Sequence, residues 1–218
     1  MFTLAEENYL KNIYHLEHEF QGEVSTNAIA ERMETKPSSV TDMVQKLAEK
    51  EMLSYKKYKG TLLTPSGRKK AANVIRKHRL WEVFLVEKLK FQWDEVHDIA
   101  EQLEHIQSDK LITRLDKFLD SPDFDPHGDP IPDKHGNVKS TEKRLLSEME
   151  KNGRGVCVGV KETTKEFLQY LDKRKISIGT KLKVLGKEFF DGSMVIQVGN
   201  DQFFISKKIA ENLYIQTN

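Results

Sequence analysis

The sequence is poor in cysteine and has no long apolar run. Its single cysteine, Cys157, has no partner for an internal disulfide bond, which is typical of a chain that folds in a reducing compartment. No apolar stretch approaches the roughly 20 residues that a membrane-spanning helix requires. Residues 1–7 have neither the basic start nor the apolar centre of a secretory signal peptide. We therefore expect a cytoplasmic protein with no membrane partner.

Several recognisable sequence motifs are also missing. The chain has no Gly-rich phosphate loop, no nucleophile elbow, no zinc-ribbon cysteines and no internal repeat. Four of its six prolines fall between residues 122 and 132, so residues 120–140 are predicted to form a loop or linker. We expect His127 and His135, which lie in this stretch, to be loop residues rather than ligands. The 218 residues suffice for two or three small domains.

The net charge of +1 conceals a strong segregation of charge along the chain. Residues 46–79 carry eleven Lys or Arg and two acids, whereas residues 92–135 carry twelve acids and four Lys or Arg. A basic block can face phosphates, and an acidic block can face cations. The basic block therefore predicts a phosphate-bearing partner, and the acidic block predicts a bound cation.

The first 64 residues have the pattern of a winged helix-turn-helix. Apolar spacing predicts a helix over residues 5–19, a capped short helix over 27–33 and a further helix that begins at Pro37. Residues 53–64 alternate as two strands that turn at Lys59-Gly60. Helix, turn, helix and basic hairpin follow in the order that a double-stranded DNA reader requires.

Candidate DNA contacts lie on the second short helix and on the hairpin. The helix presents polar side chains, away from its apolar face, that can bond base edges and phosphates, and the hairpin presents basic and aromatic ones. The predicted contacts are Ser38, Ser39, Thr41, Asp42, Gln45 and Lys46 on the helix, with Lys56, Lys57, Tyr58 and Lys59 on the hairpin.

A second cluster of chemistry-bearing residues follows in the acidic block. If residues 93–109 form a helix, two imidazoles and two carboxylates share one stripe, at positions i, i+4, i+7 and i+8. A His and a Glu at i and i+4 precede them on another predicted helix. Oxygen and nitrogen ligands without thiolate suit Mn2+, Fe2+ or Zn2+. The residues concerned are His97, Glu101, Glu104 and His105, preceded by His78 and Glu82.

The rest of the chain completes a fold that is mainly α with a small β part. A long helix is predicted from Pro65 to about Lys90 and another from Ser108, and their apolar faces exceed what one winged domain buries, which suggests a dimer interface. A short helix over 163–171 interrupts four β-rich runs typical of an SH3-like barrel, although their spacing alone also fits another small all-β module. These runs are 156–160, 181–185, 193–198 and 202–206.

Several motifs together resemble the diphtheria-toxin-repressor and manganese-transport-regulator family of metal-dependent repressors. They are PSSVTDMVQKL at 37–47, YKKYKGTLLT at 55–64, KHRLWE at 77–82, VHDIAEQLEH at 96–105 and HGDPIP at 127–132. The resemblance covers essentially the whole chain. It implies a cytoplasmic homodimer with a winged helix-turn-helix at 1–70, a helical metal-binding and dimerisation domain with linker at 71–140, and an SH3-like, FeoA-like domain at 141–218.

The resemblance also implies two metal sites. One falls on Glu101, Glu104 and His105 with Asn8, and the other on His78, Glu82 and His97, with a further ligand from the C-terminal domain at Glu166 or, less favoured, Glu162. Lys11 stands where manganese-type members carry a ligating Glu, and it is not expected to ligate. Because Glu101 stands where iron-type members have Cys, the site favours Mn2+, with Fe2+ as the alternative and Zn2+ as a further ion for binding in vitro.

Two other functions compete with a metal-activated repressor that binds operator DNA. A di-metal carboxylate enzyme would use paired Glu-x-x-His motifs, but Asp94 and Gln102 stand three residues before His97 and His105. We therefore expect no enzyme activity. The other alternative is a winged-helix regulator that senses an organic ligand, with a merely solvated His/Glu face.

Overall fold

The computed structural model describes residues 2–56, 59–139 and 141–217. The chain divides into two compact units, and each is described by itself. Unit 1 comprises residues 1–78, 101–114 and 131–138, and unit 2 comprises residues 79–100, 115–130 and 139–218.

Three helices and a hairpin form the N-terminal part of unit 1. Thr3 caps the first helix by accepting from the Glu6 amide, while the Glu6 side chain accepts from the Thr3 amide. Ser25 caps the second helix, and Pro37 occupies the first turn of the third, where no amide donor is needed. The elements are α1 (Leu4–Phe20), α2 (Thr26–Arg32), α3 (Pro37–Glu49), β1 (Leu53–Lys56) and β2 (Gly60–Leu63).

The core of this part joins the inner faces of the three helices to the hairpin. Leu10 and Ile13 of α1, Ile29 of α2 and Val44 of α3 are all fully buried in one apolar cluster. Leu53 pairs with Leu63 across the hairpin and closes the same cluster. The polar face of α3 is therefore left outside, as the sequence predicts for a helix-turn-helix.

The hairpin, which we call the wing, is attached to the segment between α1 and α2. The amides and carbonyls of Val24 and Thr61 exchange two hydrogen bonds, of 2.9 and 3.0 Å. Gly60 adopts a φ of +116°, and a Cβ there would lie 2.8 Å from the Val24 carbonyl oxygen. Glycine at this position allows the close approach of the two backbones.

Three further helices follow the wing: α4 (Pro65–Glu87), α5 (His97–Leu103) and α6 (Asp109–Phe118). The predicted helix over 93–109 is only partly formed, because Glu104 and His105 lie in a turn after α5. There the Ile106 amide bonds the Leu103 carbonyl, three residues back, and the helical ladder ends. None of the helices among the described residues has the length and apolar character needed to cross a membrane.

The C-terminal part of unit 2 is a six-stranded antiparallel sheet with two short helices. Its strands lie in the order β3-β8-β4-β5-β6-β7, and its core includes Leu168 of a helix and Ile196 and Ile215 of two strands. The four predicted strands and the helix are present, and two unpredicted strands at 144–145 and 213–216 extend the sheet. The elements are β3 (Arg144–Leu145), β4 (Arg154–Val160), α7 (Lys165–Asp172), β5 (Lys181–Lys187), β6 (Met194–Val198), β7 (Asp201–Ile205), α8 (Lys207–Ala210) and β8 (Leu213–Gln216).

The wing attachment can be tested by a glycine substitution. Gly60→Ala places a Cβ against Val24 in addition to straining φ, which by itself costs about 1 to 3 kcal/mol. Gly179→Ala is the control, because Gly179 has a φ of +88° with open space around its Cβ position. We expect faster hydrogen exchange of the Thr61 and Val24 amides in Gly60→Ala alone. Unchanged protection of both amides in Gly60→Ala would contradict the close packing.

Candidate functional site

The outer face of α3 is an exposed polar surface. Ser38, Ser39, Asp42 and Gln45 are exposed, whereas Thr41 is half-buried and its hydroxyl donates to the Pro37 carbonyl. This surface contains the side chains that the sequence predicts for base reading, and they stay predictions of base contacts.

Basic side chains border this surface. Lys56 on β1 and Lys59 after it are exposed, while Lys57 and Tyr58 lie outside the described residues. Lys46 is half-exposed and lies 3.0 Å from the Glu6 carboxylate, so a phosphate contact there would compete with an ion pair. Exposed lysines on a hairpin beside a polar helix suit backbone phosphates.

Unit 2 contains a buried group of two carboxylates and one imidazole. Glu82 on α4 and Asp125 and His127 in the following loop are each less than a tenth exposed. One ligand atom from each lies within 4.8 Å of the others. Buried carboxylates and imidazoles at such distances form a donor set for a divalent cation.

The backbone fixes the orientation of the His127 ring. Its Nε2 lies 2.8 Å from the Trp93 carbonyl oxygen, which can only accept, so Nε2 donates. Nδ1 lies 3.6 Å from a Glu82 carboxylate oxygen. A ring whose Nε2 proton is held by a carbonyl presents Nδ1 as the ligand atom, as ligating histidines commonly do.

Asp125 shapes the loop and also faces the cluster. Its Oδ1 accepts from the His127 and Asp129 amides at 2.8 and 3.0 Å, while its Oδ2 lies 3.4 Å from the Arg79 guanidinium. Burial, with the nearby Glu82 and Asp129, raises the pKa of Asp125 to about 7. This carboxylate carries negative charge at an energetic cost that a bound cation would offset.

His127 shows the complementary effect. Burial alone would lower its pKa, but the Glu82 and Asp125 carboxylates outweigh burial and raise it to about 9. At neutral pH His127 therefore carries a proton whose charge offsets that of the carboxylates, and a metal ion that binds at Nδ1 would displace this proton.

The loop that carries Asp125 and His127 is held against strand β4. The Val160 amide donates to the His127 carbonyl at 2.9 Å. Gly128, at a φ of +85°, leaves space for the β4 backbone, because a Cβ there would lie 2.0 Å from the Val158 carbonyl oxygen. The ligand loop and the C-terminal sheet are thus joined through backbone contacts.

An acidic cleft adjoins this cluster through His97. His97 Nδ1 lies 3.7 Å from a Glu82 oxygen, and His97 also lines the cleft with Asp94, Asp98 and Glu162. Glu166, the C-terminal ligand favoured from the family pattern, is exposed on α7 and is not among the residues that line the cleft. Glu166 and Glu162 both stay predictions of a ligand from the C-terminal domain.

The other predicted ligands lie in unit 1 and are engaged with protein groups. Glu104 accepts from Lys11 and faces His78, each at 2.7 Å, and Glu101 accepts from Lys11 at 2.5 Å. His105 Nδ1 lies 2.8 Å from Glu7. The turn after α5 thus directs Glu104 and His105 towards different residues.

Asn8 differs from these residues. Its side-chain oxygen is buried and has no hydrogen-bond partner among the described residues. An orphaned carbonyl oxygen is available as a ligand, so Asn8 stays a prediction.

Asp125 and His127 are the functional candidates that periodicity does not reveal. They lie in an irregular loop, where no helical spacing relates them to Glu82. His127 is also buried, whereas its Pro- and Gly-rich surroundings predict a solvated loop residue. The available signal was the segment HGDPIP together with Asp125 two residues before it, since a His and two Asp close to a Gly form a compact polar turn.

Three family models match consecutive parts of the chain. The N-terminal DNA-binding domain of iron-dependent repressors matches residues 1–61, and their metal-binding and dimerisation domain matches residues 64–133. A FeoA domain matches residues 144–217. The architecture is therefore an N-terminal helix-turn-helix, a helical dimerisation domain and a C-terminal SH3-like domain, which confirms the expected fold class.

Individual relatives agree with these matches. The iron-dependent repressor IdeR of Mycobacterium leprae is 39% identical over 127 residues, which are 58% of this chain and 54% of that protein. The chain thus spans about half the length of the iron-dependent repressors it matches.

The transcriptional regulator MntR of Oceanobacillus iheyensis is 33% identical over 151 residues, which are 69% of this chain and all of that regulator. A solved manganese-dependent transcriptional repressor in complex with manganese superposes with a TM-score of 0.88 at 33% identity, over 98% of this chain and 100% of that one. The chain belongs to the iron-dependent repressor family of metal-dependent transcriptional repressors.

Proposed function

We propose that this protein binds operator DNA as a homodimer when a divalent cation occupies the cluster of Glu82, Asp125 and His127. The observation that carries the proposal is this buried donor set of two carboxylates and a histidine with a fixed ring orientation. His97 and Glu162 extend the donor set towards solvent. The proposal treats residues 1–70, 71–140 and 141–218 as the DNA-binding, metal-binding and SH3-like domains.

The cluster fits a divalent cation in three respects. Its donors are two carboxylates and one or two imidazoles, it is shielded from water, and the outward ring nitrogen of His127 is anchored by a carbonyl. When bound, the cation would displace the Nδ1 proton of His127 and add its charge to that of Arg79 beside the two buried carboxylates. Glu82 and His127 then hold α4 and the loop together, and Trp93 and β4 keep the loop in place.

We propose Mn2+ as the physiological ion, with Fe2+ as the alternative. The donor set is free of sulfur, and hard oxygen ligands suit Mn2+. The similar solved repressor was obtained with manganese, and the similar mycobacterial repressor is named iron-dependent. Zn2+ is expected to bind in vitro, because it stands above both ions in the usual affinity order.

The proposed coupling to DNA passes through α4. This helix carries Glu82 and begins at Pro65, two residues after wing strand β2 ends. A cation that restrains α4 therefore also restrains the segment next to the DNA-reading surface. An allosteric coupling of typical size would raise operator affinity about 5- to 150-fold. The cytoplasmic location expected from the sequence is part of this proposal, since a repressor works where its operator lies.

The metal cluster can be tested by removing ligands. Glu82→Gln and His127→Ala should each weaken Mn2+ binding at least about tenfold, since even the loss of a residue behind a ligand has such an effect. His135→Ala is the control, because His135 is an exposed histidine of the same loop region. Isothermal titration gives the affinity, and sedimentation checks that each variant remains a dimer. Wild-type affinity in His127→Ala would refute the assignment.

The DNA surface can be tested by salt dependence. Replacing both Lys56 and Lys59 by Ala should weaken binding to every duplex sequence. Because a homodimer loses four lysines in this way, the slope of log affinity against log salt should fall by about 4. The charge-matched control replaces the exposed Lys207 and Lys208 by Ala. Fluorescence anisotropy at several salt concentrations measures both quantities. An unchanged slope would remove the wing from the interface.

A second arm of that experiment concerns base reading. Ser39→Ala and Asp42→Ala should change which operator sequences are preferred, because side chains that meet base edges carry the sequence information. Binding to a library of operator variants measures the preference. A loss that is equal for all sequences would assign these residues to backbone contacts instead.

A further inference from the structure

Unit 1 contains a buried lysine in the middle of the predicted ligand set of Asn8, Glu101, Glu104 and His105. Lys11 is 7% exposed, and its ammonium lies 2.5 Å from a Glu101 oxygen and 2.7 Å from a Glu104 oxygen. Burial of a lysine is rare unless opposite charge surrounds it. Here two carboxylates from one short segment bind a single cationic group.

Both oxygens of the Glu104 carboxylate have partners in the chain. One of its oxygens accepts from Lys11, the other lies 2.7 Å from His78 Nδ1, and the residue has no exposed surface. Glu104 is thus a stable anion without any bound ion.

His105 is held in the same way by a different partner. Its Nδ1 lies 2.8 Å from Glu7, which is also buried and is paired with Lys70 at 2.7 Å. Glu7 receives a further bond from Gln107. Two of the predicted ligands, Glu104 and His105, therefore already have partners suited to their chemistry within unit 1.

A metal ion and the Lys11 ammonium would require the same oxygen atoms. Carboxylate oxygens lie about 2.0 to 2.2 Å from such an ion, so an ion bound by Glu101 and Glu104 would be within a few ångströms of the Lys11 nitrogen. Two positive groups at that distance in a poorly solvated site repel strongly. While Lys11 keeps these contacts, a metal ion cannot use the same oxygen atoms.

We propose that the Lys11 ammonium, a cation that is part of the chain itself, takes the place of a metal ion at Glu101 and Glu104. Each chain then has a single regulatory metal site, at Glu82, Asp125 and His127. The inference rests on the proposed function for the identity of the remaining site. It is the direct alternative to the family-derived ligand set of Asn8, Glu101, Glu104 and His105. It implies that α1 is attached to the segment after α5 whether or not metal is present.

The test is metal stoichiometry. Purified full-length protein is stripped of metal, dialysed against saturating Mn2+, and its manganese content measured by mass spectrometry. We expect about one ion per chain for wild type and about two for Lys11→Glu, which exchanges the ammonium for a carboxylate. Lys110→Glu is the matched control, because the same charge change at an exposed position should leave one ion. Two ions in wild type, or no gain in Lys11→Glu, would overturn the inference.

A second variant locates the wild-type ion and covers the case in which Lys11→Glu does not fold. Glu82→Gln should lower the wild-type stoichiometry from one ion to none. If it retains one ion, that ion occupies the Lys11 region and the inference is wrong. If wild type binds none, the proposed function fails separately, and Lys11→Glu still decides: a gain of one ion supports the role of Lys11, and no gain overturns it.

The apo protein provides an independent readout. Lys11→Met removes the ammonium and leaves Glu104 buried with less compensation, so the melting temperature without metal should fall by several degrees. Lys110→Met should not change it. An unchanged melting temperature in Lys11→Met would show that Lys11 does not hold the two carboxylates together, and would overturn the inference.

Discussion

Burial of carboxylates away from water is the constraint on which both units of this protein depend. Glu7 and Glu104 in unit 1, and Glu82 and Asp125 in unit 2, are each less than a tenth exposed. A buried anion is stable only when cations or hydrogen-bond donors surround it, because its hydration has been lost. The placement of lysines, arginines and histidines around these four groups therefore determines which helices and loops are held together.

The two units meet this constraint differently. In unit 1 the Glu7 carboxylate has Lys70, His105 and Gln107, and Glu104 has Lys11 and His78, so the pKa of each carboxyl group is below its ordinary value. In unit 2 burial and the neighbouring carboxylates raise the pKa of Asp125, although Arg79 and His127 act against that shift. The buried carboxylates of both units thus face cationic groups of the chain, but the pKa is lowered at Glu7 and Glu104 and raised at Asp125.

Much of the fold could be predicted from the sequence because its helices and strands obey their apolar periods. α3, the wing and four strands of the C-terminal sheet lie where spacing and turn residues predict them. The end of α5 could not be predicted, because Glu104 and His105 leave the helix to meet groups on α1 that are about 90 residues distant in sequence. The Asp125 and His127 cluster was missed for the same reason: its members are related by tertiary contacts and not by a local period.

Lys11 shows that a residue outside a family motif can determine which groups the carboxylates of that motif contact. The segment from Val96 to His105 matches its family closely, yet the partner of its carboxylates is set by a residue on α1. The Lys11 ammonium is part of the chain, so its contacts with Glu101 and Glu104 do not depend on how much metal the cell contains. A cation that exchanges with solvent can report the metal content. Sensing therefore requires a site at which the bound cation exchanges with solvent, and our proposal places that site at Glu82, Asp125 and His127 in unit 2.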